Sequence, residues 1–183
     1  MNGNLLSTLW PQSQALHKLV AVALGVALLT LASKVQVPFW PVPMTLQVLA
    51  VLLIGATAGA RLGGATVLAW LALGAVGVPV FATGAGLAYM AGPTGGYLAG
   101  FLLAAVAVGY LADRGHGRSV GSALLVLFAG VVIIYALGLG WLANIIGAER
   151  AIAAGLMPFI PAEILKLALG TVILTAAWKQ ARR

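Results

Sequence analysis

The chain has 183 residues, 62% of them hydrophobic and 7% charged, which excludes a water-soluble domain, because such domains solvate their surfaces with about 25% charged residues. Its net charge of +7 is scattered over single Lys and Arg residues, which argues for orientation in a membrane and against a clustered nucleic-acid face. With no Cys, two His and three acids, disulfides, thiolate metal sites and cysteine nucleophiles fall away, and neither cofactor, metal nor catalytic residue is expected.

A mean hydropathy of +1.10 and long apolar runs predict an all-α integral membrane protein, a bundle of about six transmembrane helices of about 20 residues each. A barrel would alternate in shorter segments. Met1 to Pro11 lacks the positive start of a cleaved signal, so the first span is expected to stay in the mature protein, and Gly3 stands one place too late for myristoylation. The spans follow from breaks at Pro, Gly and charge. They run from about Ala15 to Ala32, Met44 to Ala58, Leu62 to Val78, Gly96 to Ala112, Ser119 to Ile146 and Pro161 to Trp178. Six spans put both termini on one side, with Lys18, Arg61, Arg114, Arg118, Lys179, Arg182 and Arg183, against Lys34 and Arg150 on the other and Lys166 within the last span. Cytoplasmic connections are enriched in Lys and Arg, so both termini are expected in the cytoplasm. Trp178 and Lys179 are expected to anchor the last helix at the headgroups.

The connections differ in character. Ala112 to Arg118 is short and charged, whereas Lys34 to Pro43 (KVQVPFWPVP) is too proline-rich for helix and Pro79 to Gly95 carries no charge. Irregular apolar backbone at a membrane surface needs burial in protein or a cavity to line. Both outer connections are therefore read as a lid over a site open to the outside.

Within the last span Glu163 and Lys166 lie three apart, on one face, just below the outer end that Pro161 opens. Ionisable residues inside a span are costly and face the bundle interior. Two readings are open: a structural ion pair in which Glu163 complements the helix N-terminus, or a ligand site in which Lys166 meets an anionic group. Thr45 and Gln47 in PVPMTLQ open the second span. Gln47 carries donor and acceptor, as an amide or ureido group requires, or else bonds a neighbouring helix. Phe39, Trp40, Phe81, Tyr89 and Tyr97 add flat apolar surface, singly as interfacial or packing residues. Gly84, Gly86 and Gly95 allow close backbone approach. No GxxxxGK[ST] or complete GxGxxG is present, so energy for active transport would come from elsewhere. Gly55, Gly59 and Gly63 straddle a turn and are read as intramolecular. On the first span Ala23 with Ala27, or Ala21 with Gly25, form small-residue stripes that suit either a partner subunit or the bundle itself.

In these segments the sequence resembles the BioY family, biotin-specific S components of energy-coupling factor transporters. PVPMTLQ, the VPVF run at Val78 to Phe81, GPTGGYL at Gly92 to Leu98 and PFIPAEILK occur in family order over nearly the whole chain. The family's Pro-Gly-Asp-x-x-Lys reads Pro161-Ala162-Glu163-Ile164-Leu165-Lys166 here. The basic residue that some relatives carry after Gly-Gly-Tyr is replaced by Leu98, and the Asn that some carry in the Gly-rich loop is absent. The resemblance implies a single membrane-embedded substrate-binding domain in a bacterial inner membrane. It would capture biotin from outside and pair with a T component and two ATP-binding-cassette ATPases, and such components are thought to topple to release substrate. It also implies that Ala23 and Ala27 face the T component, and leaves Lys166 as the main candidate for the ligand carboxylate. An S component for another vitamin, a small channel or homo-oligomer, and a small intramembrane enzyme are the alternatives, the last disfavoured because HExxH and GxSxG are absent.

Overall fold

A computed structural model describes residues 5–6 and 15–181; most of Met1 to Pro11, with Arg182 and Arg183, lies outside the described residues. Helix α1 (Ala15–Lys34) leads into a small antiparallel hairpin, β1 (Gln36–Val37) and β2 (Met44–Thr45), with Gln36 opposite Thr45 and Val37 opposite Met44. Then come α2 (Gln47–Ala75), the short α3 (Gly86–Met90), α4 (Gly95–Asp113) and α5 (Val120–Ile146). An outer helix α6 (Ala148–Gly155) and a 3-10 turn (Met157–Phe159) precede α7 (Ile160–Ala181). The hairpin, α3 and α6 are not foreseen from the sequence; strands of two residues and helices of one or two turns leave too little periodicity to read.

Helix α2 is two spans. At Gly59 the backbone takes φ 81° and ψ 177°, a region open essentially to glycine alone. The chain reverses there, because a Cβ on Gly63 would lie 3.0 Å from the Cα of Gly55, whereas residues eight apart in a straight helix are separated by about 12 Å. The glycines at 55, 59 and 63 thus form the expected intramolecular turn. Asp113 at the end of α4 accepts the Ala60 N–H at 3.0 Å, satisfying one of the bare donors at the start of the second arm. The arms, 47–58 and 60–75, span about 18 and 24 Å at the rise of a helix, short of the roughly 30 Å hydrocarbon core. Buried irregular backbone around Val42, Thr45, Val80 and Phe81 makes up the outer part, as backbone at membrane depth must when it is not helical.

Helix α4 packs into this hairpin and α5 packs on α4, so the core runs through Val51, Val67, Trp70, Ala104, Val108, Leu127 and Ile134. Helix α7 closes the side with Glu163, Lys166, Gly170, Leu174 and Trp178 inward, a spacing of three and four that forms one helical face. Trp178 therefore corrects the headgroup reading. It is 3% exposed, and the Arg118 guanidinium stands 4.6 Å from its ring centroid, a cation–π contact.

Helix α1 is the loosest span, with only Leu29, Ala32 and Ser33 buried. Its two small-residue stripes separate: a Cβ on Gly25 would lie 2.5 Å from Thr66 Cγ2, so Gly25 packs within the bundle, while Ala23 and Ala27 are exposed.

Gly59→Ala should destabilise the protein by about 1–3 kcal/mol, read as a fall of several degrees in Tm in detergent. Gly140→Ala, which meets nothing within 4 Å, should leave Tm unchanged. Equal Tm values for both variants would contradict a hairpin turning on Gly59.

Candidate ligand-binding site

Around the start of α7, four of the buried polar side chains, Thr45, Gln47, Glu163 and Lys166, line one cavity. The first turns of α7 bring Glu163 and Lys166 to the inside, 6% and 8% exposed. The Lys166 ammonium donates to Glu163 Oε1 at 2.7 Å. Tyr135, from the middle of α5, donates its hydroxyl to the same oxygen at 3.1 Å. Glu163 Oε2 is buried without a hydrogen-bond partner.

Across the cavity, where β2 passes into α2, Thr45 donates its hydroxyl to Gln47 Oε1 at 3.0 Å and accepts the Gln47 backbone N–H at 3.2 Å. This local turn fixes the Gln47 amide with its oxygen engaged, and its Nε2 is buried without a partner. One acceptor and one donor are thus held ready by residues that line the same cavity. Leaving such groups buried and unbonded costs about 1–3 kcal/mol each, a cost that a ligand with the complementary pattern would remove.

Apart from Thr94, the remaining walls are apolar and aromatic: Val42, Pro43, Val48, Phe81, Ala82, Tyr89, Tyr97, Leu98, Phe101 and Phe159. Phe81 is fully buried. Its ring stacks on Tyr89 at 5.1 Å and meets Trp70 edge-on at 4.9 Å. It also lies over Gly74, where a Cβ would stand 2.0 Å from Phe81 Cζ. The cavity is about 40 Å³, room for a few waters.

Side chains from the end of α1 and from β1 hold three consecutive carbonyls of this cover. Ser33 Oγ shares its proton between Thr30 O at 2.7 Å and Val80 O at 2.9 Å. Lys34 Nζ donates to Phe81 O, and Gln36 Nε2 reaches Ala82 O at 3.4 Å. The segment has no strand or helix partner of its own, so these donors satisfy carbonyls that would otherwise be bare.

Of the residues singled out in the sequence, Thr45, Gln47, Phe81, Tyr89, Tyr97, Glu163 and Lys166 line the cavity. Phe39 stands beside it, its ring 6.0 Å from that of Phe159. Trp40 is 83% exposed and away from it. Gly84, Gly86 and Gly95 shape the cover without forming its wall: Gly84 lies under the Tyr89 ring, Gly86 has φ +86°, and Gly95 sits against the Met90 carbonyl. Sequence reasoning missed Tyr135, Phe159 and Thr94. Tyr135 did carry a signal, as the one hydroxyl between Ser122 and Asn144.

The BioY family model matches residues 6–183. The chain belongs to the BioY family. It is 39% identical over 153 residues to the probable biotin transporter BioY of Pyrococcus horikoshii, covering 83% of this chain and 90% of that one. Against the biotin transporter BioY of Rhizobium etli the identity is 38% over 168 residues, with 87% of each chain covered. The fold matches a crystal structure at 2.1 Å of the S-component for biotin from an ECF-type ABC transporter, with TM-score 0.80 and 27% identity over 92% of this chain and 94% of that one. The all-α membrane architecture read from composition is therefore that of a BioY S component.

The cover makes a measurable prediction. The sequence contains no Cys, so Ala82→Cys supplies a single thiol at a buried position. Its labelling by a water-soluble maleimide should be slow, and several-fold faster once Lys34→Ala and Gln36→Ala are added. Equal labelling rates would show that these attachments do not hold the segment.

Proposed function

We propose that this BioY protein is the biotin-capturing subunit of a vitamin uptake system, binding biotin from the outer side in the cavity between Gln47 and Glu163. The observation that carries this reading is the pair of buried, unpartnered atoms, the acceptor Glu163 Oε2 and the donor Gln47 Nε2. A ureido edge presents N–H donors and a carbonyl acceptor, the complement of that pair. Biotin's fused bicycle suits the aromatic walls, in the manner of mostly apolar small-molecule sites with few polar anchors. The activity is capture and delivery, with no chemistry done on the ligand.

The geometry favours a different end of biotin for Lys166 from the one the sequence suggests. From the sequence, Lys166 is the candidate for the ligand carboxylate. Its ammonium already lies 2.7 Å from Glu163 Oε1, so a second carboxylate there would crowd two negative charges in a low-dielectric site. The reading therefore sends the neutral ureido edge to the Glu163–Lys166 pair and the carboxylate toward Phe81, Ala82 and the outside. A cavity of about 40 Å³ is far below the roughly 300 Å³ at which small-molecule sites begin. Ligand entry then needs the cavity to widen, and the reading assigns that movement to the 80–82 segment with its Phe81 ring.

Delivery needs an energy source, since the sequence has no phosphate-binding loop. We propose a membrane-embedded T component and two ATP-binding-cassette ATPases as partners. The exposed Ala23 and Ala27 on the loosely held α1 offer the small-residue surface that lets a second helix approach closely. Lys18, Arg61, Arg114, Arg118 and Lys179 belong to the end opposite the cavity, which supports a cytoplasmic-membrane location with that end, and both termini, in the cytoplasm.

The purified chain in detergent should bind biotin and dethiobiotin, which share the ureido ring, and should ignore lipoate, which has an alkyl carboxylate but no ureido group. Lys166→Ala should weaken biotin binding by more than about tenfold, since it leaves the buried Glu163 charge uncompensated. Binding of lipoate as tight as biotin, or an unchanged affinity in Lys166→Ala, would sink the assignment. Separately, Ala23→Leu with Ala27→Leu should abolish co-purification with a T component while biotin affinity stays at the wild-type value. Retained co-purification would move the partner surface elsewhere.

A further inference from the structure

Resting on the ureido reading above, we infer that Tyr135 is a positioning residue that sets ligand selectivity, by pinning one oxygen of Glu163 so that the other is left for a ligand N–H. A carboxylate has two oxygens and about four lone-pair directions, and the terminal torsion of a Glu side chain is broad. Lys166 alone, three residues along the same helix, would leave that torsion unsettled. Its ammonium could bridge both oxygens or bond either one.

Tyr135 removes that freedom because it approaches from a different helix. Its hydroxyl reaches Oε1 at 3.1 Å while Lys166 reaches the same atom at 2.7 Å. Two donors converging on one oxygen from α5 and α7 fix the carboxylate plane. The tyrosine ring is itself held, edge-on to Tyr97 at 5.8 Å and to Phe159 at 6.3 Å, so its hydroxyl cannot follow a rotating carboxylate. Oε2 is left buried with no donor.

The consequence is a demand on the ligand. A group meeting Oε2 has to donate, because a lone pair set against a pinned and buried carboxylate oxygen has no way to be relieved. A ureido N–H meets that demand. A cyclic carbamate of the same shape, with a ring oxygen in place of one N–H, does not. Without Tyr135 the carboxylate can turn its unbonded oxygen aside, and the two ligands should be told apart less sharply. A merely structural tyrosine would instead change affinity for both ligands by one common factor.

The test measures affinities of biotin and of the two cyclic carbamate isosteres, one for each ureido nitrogen, for wild-type protein and for Tyr135→Phe. The isostere with the larger penalty is the one read. Wild type should reject it by at least about a hundredfold relative to biotin, as sites built around a buried hydrogen bond do. Tyr135→Phe should bind biotin about tenfold more weakly, the cost of a lost hydrogen bond to a charged group, and reject the isostere by less than about tenfold. Tm without ligand verifies that the variant is folded, and Tyr135→Leu, which also lacks a donor, is read in the same way should the phenylalanine variant not fold. An unchanged rejection ratio in the folded variant overturns the inference and leaves biotin capture standing. Failure of wild type to bind biotin at all overturns both.

Discussion

A carboxylate and an ammonium held inside a membrane span are the constraint around which the outer half of this protein is arranged. Moving either charge out of water costs several kcal/mol even after relaxation, and Glu163 and Lys166 are 6% and 8% exposed. The two residues offset part of this cost against each other across 2.7 Å. The rest falls on their surroundings: a phenol from α5, a threonine-braced glutamine from α2 and a cover of aromatic rings that keeps the site from lipid and from bulk water. An ion pair serving stability alone would be expected to saturate both carboxylate oxygens. Here one oxygen is doubly bonded and the other bare, an arrangement that makes sense when a third party supplies the last hydrogen bond.

The architecture beneath the site explains how it is held. The reversal at Gly59 makes two short arms from one apolar stretch, and Asp113 closes the turn from α4. Because these arms fall short of the full membrane thickness, their outer ends finish in hairpin and loop, and that irregular backbone is what supplies Thr45, Val42 and Phe81 to the cavity. The loop bearing Phe81 is secured to α1, whose other face is open. The helix on which a partner is proposed to dock is therefore the same helix that secures the cover.

Much of this was legible in the chain before any coordinates. Scarce charge and six apolar runs point to the bundle, and the lone acid within a span, Glu163, leads to the cavity by way of Lys166. The turn at Gly55, Gly59 and Gly63 could be read as well, since spacing four with no bulk has few meanings in a helix pair. What could not be read depended on rotation and on contacts distant in sequence. Trp178 sits at a helix end, where aromatic residues anchor, and only the inward register of Leu174 and Trp178 shows that its ring is buried. Tyr135 lies 28 residues from Glu163, in a run whose apolar pattern does not indicate which face meets α7. The attachments from Ser33, Lys34 and Gln36 to three backbone carbonyls leave no trace in composition, because the acceptors are main-chain atoms that every residue has.

The orientation of biotin in the cavity is the point on which these strands meet, and a structure of the protein bound to biotin measures it directly. The account predicts a ureido N–H within hydrogen-bond distance of Glu163 Oε2, the ureido oxygen facing Gln47 Nε2, and the carboxylate directed outward past Phe81. Biotin bound the other way round, with its carboxylate on Lys166 and its ureido ring under the 80–82 segment, would contradict it.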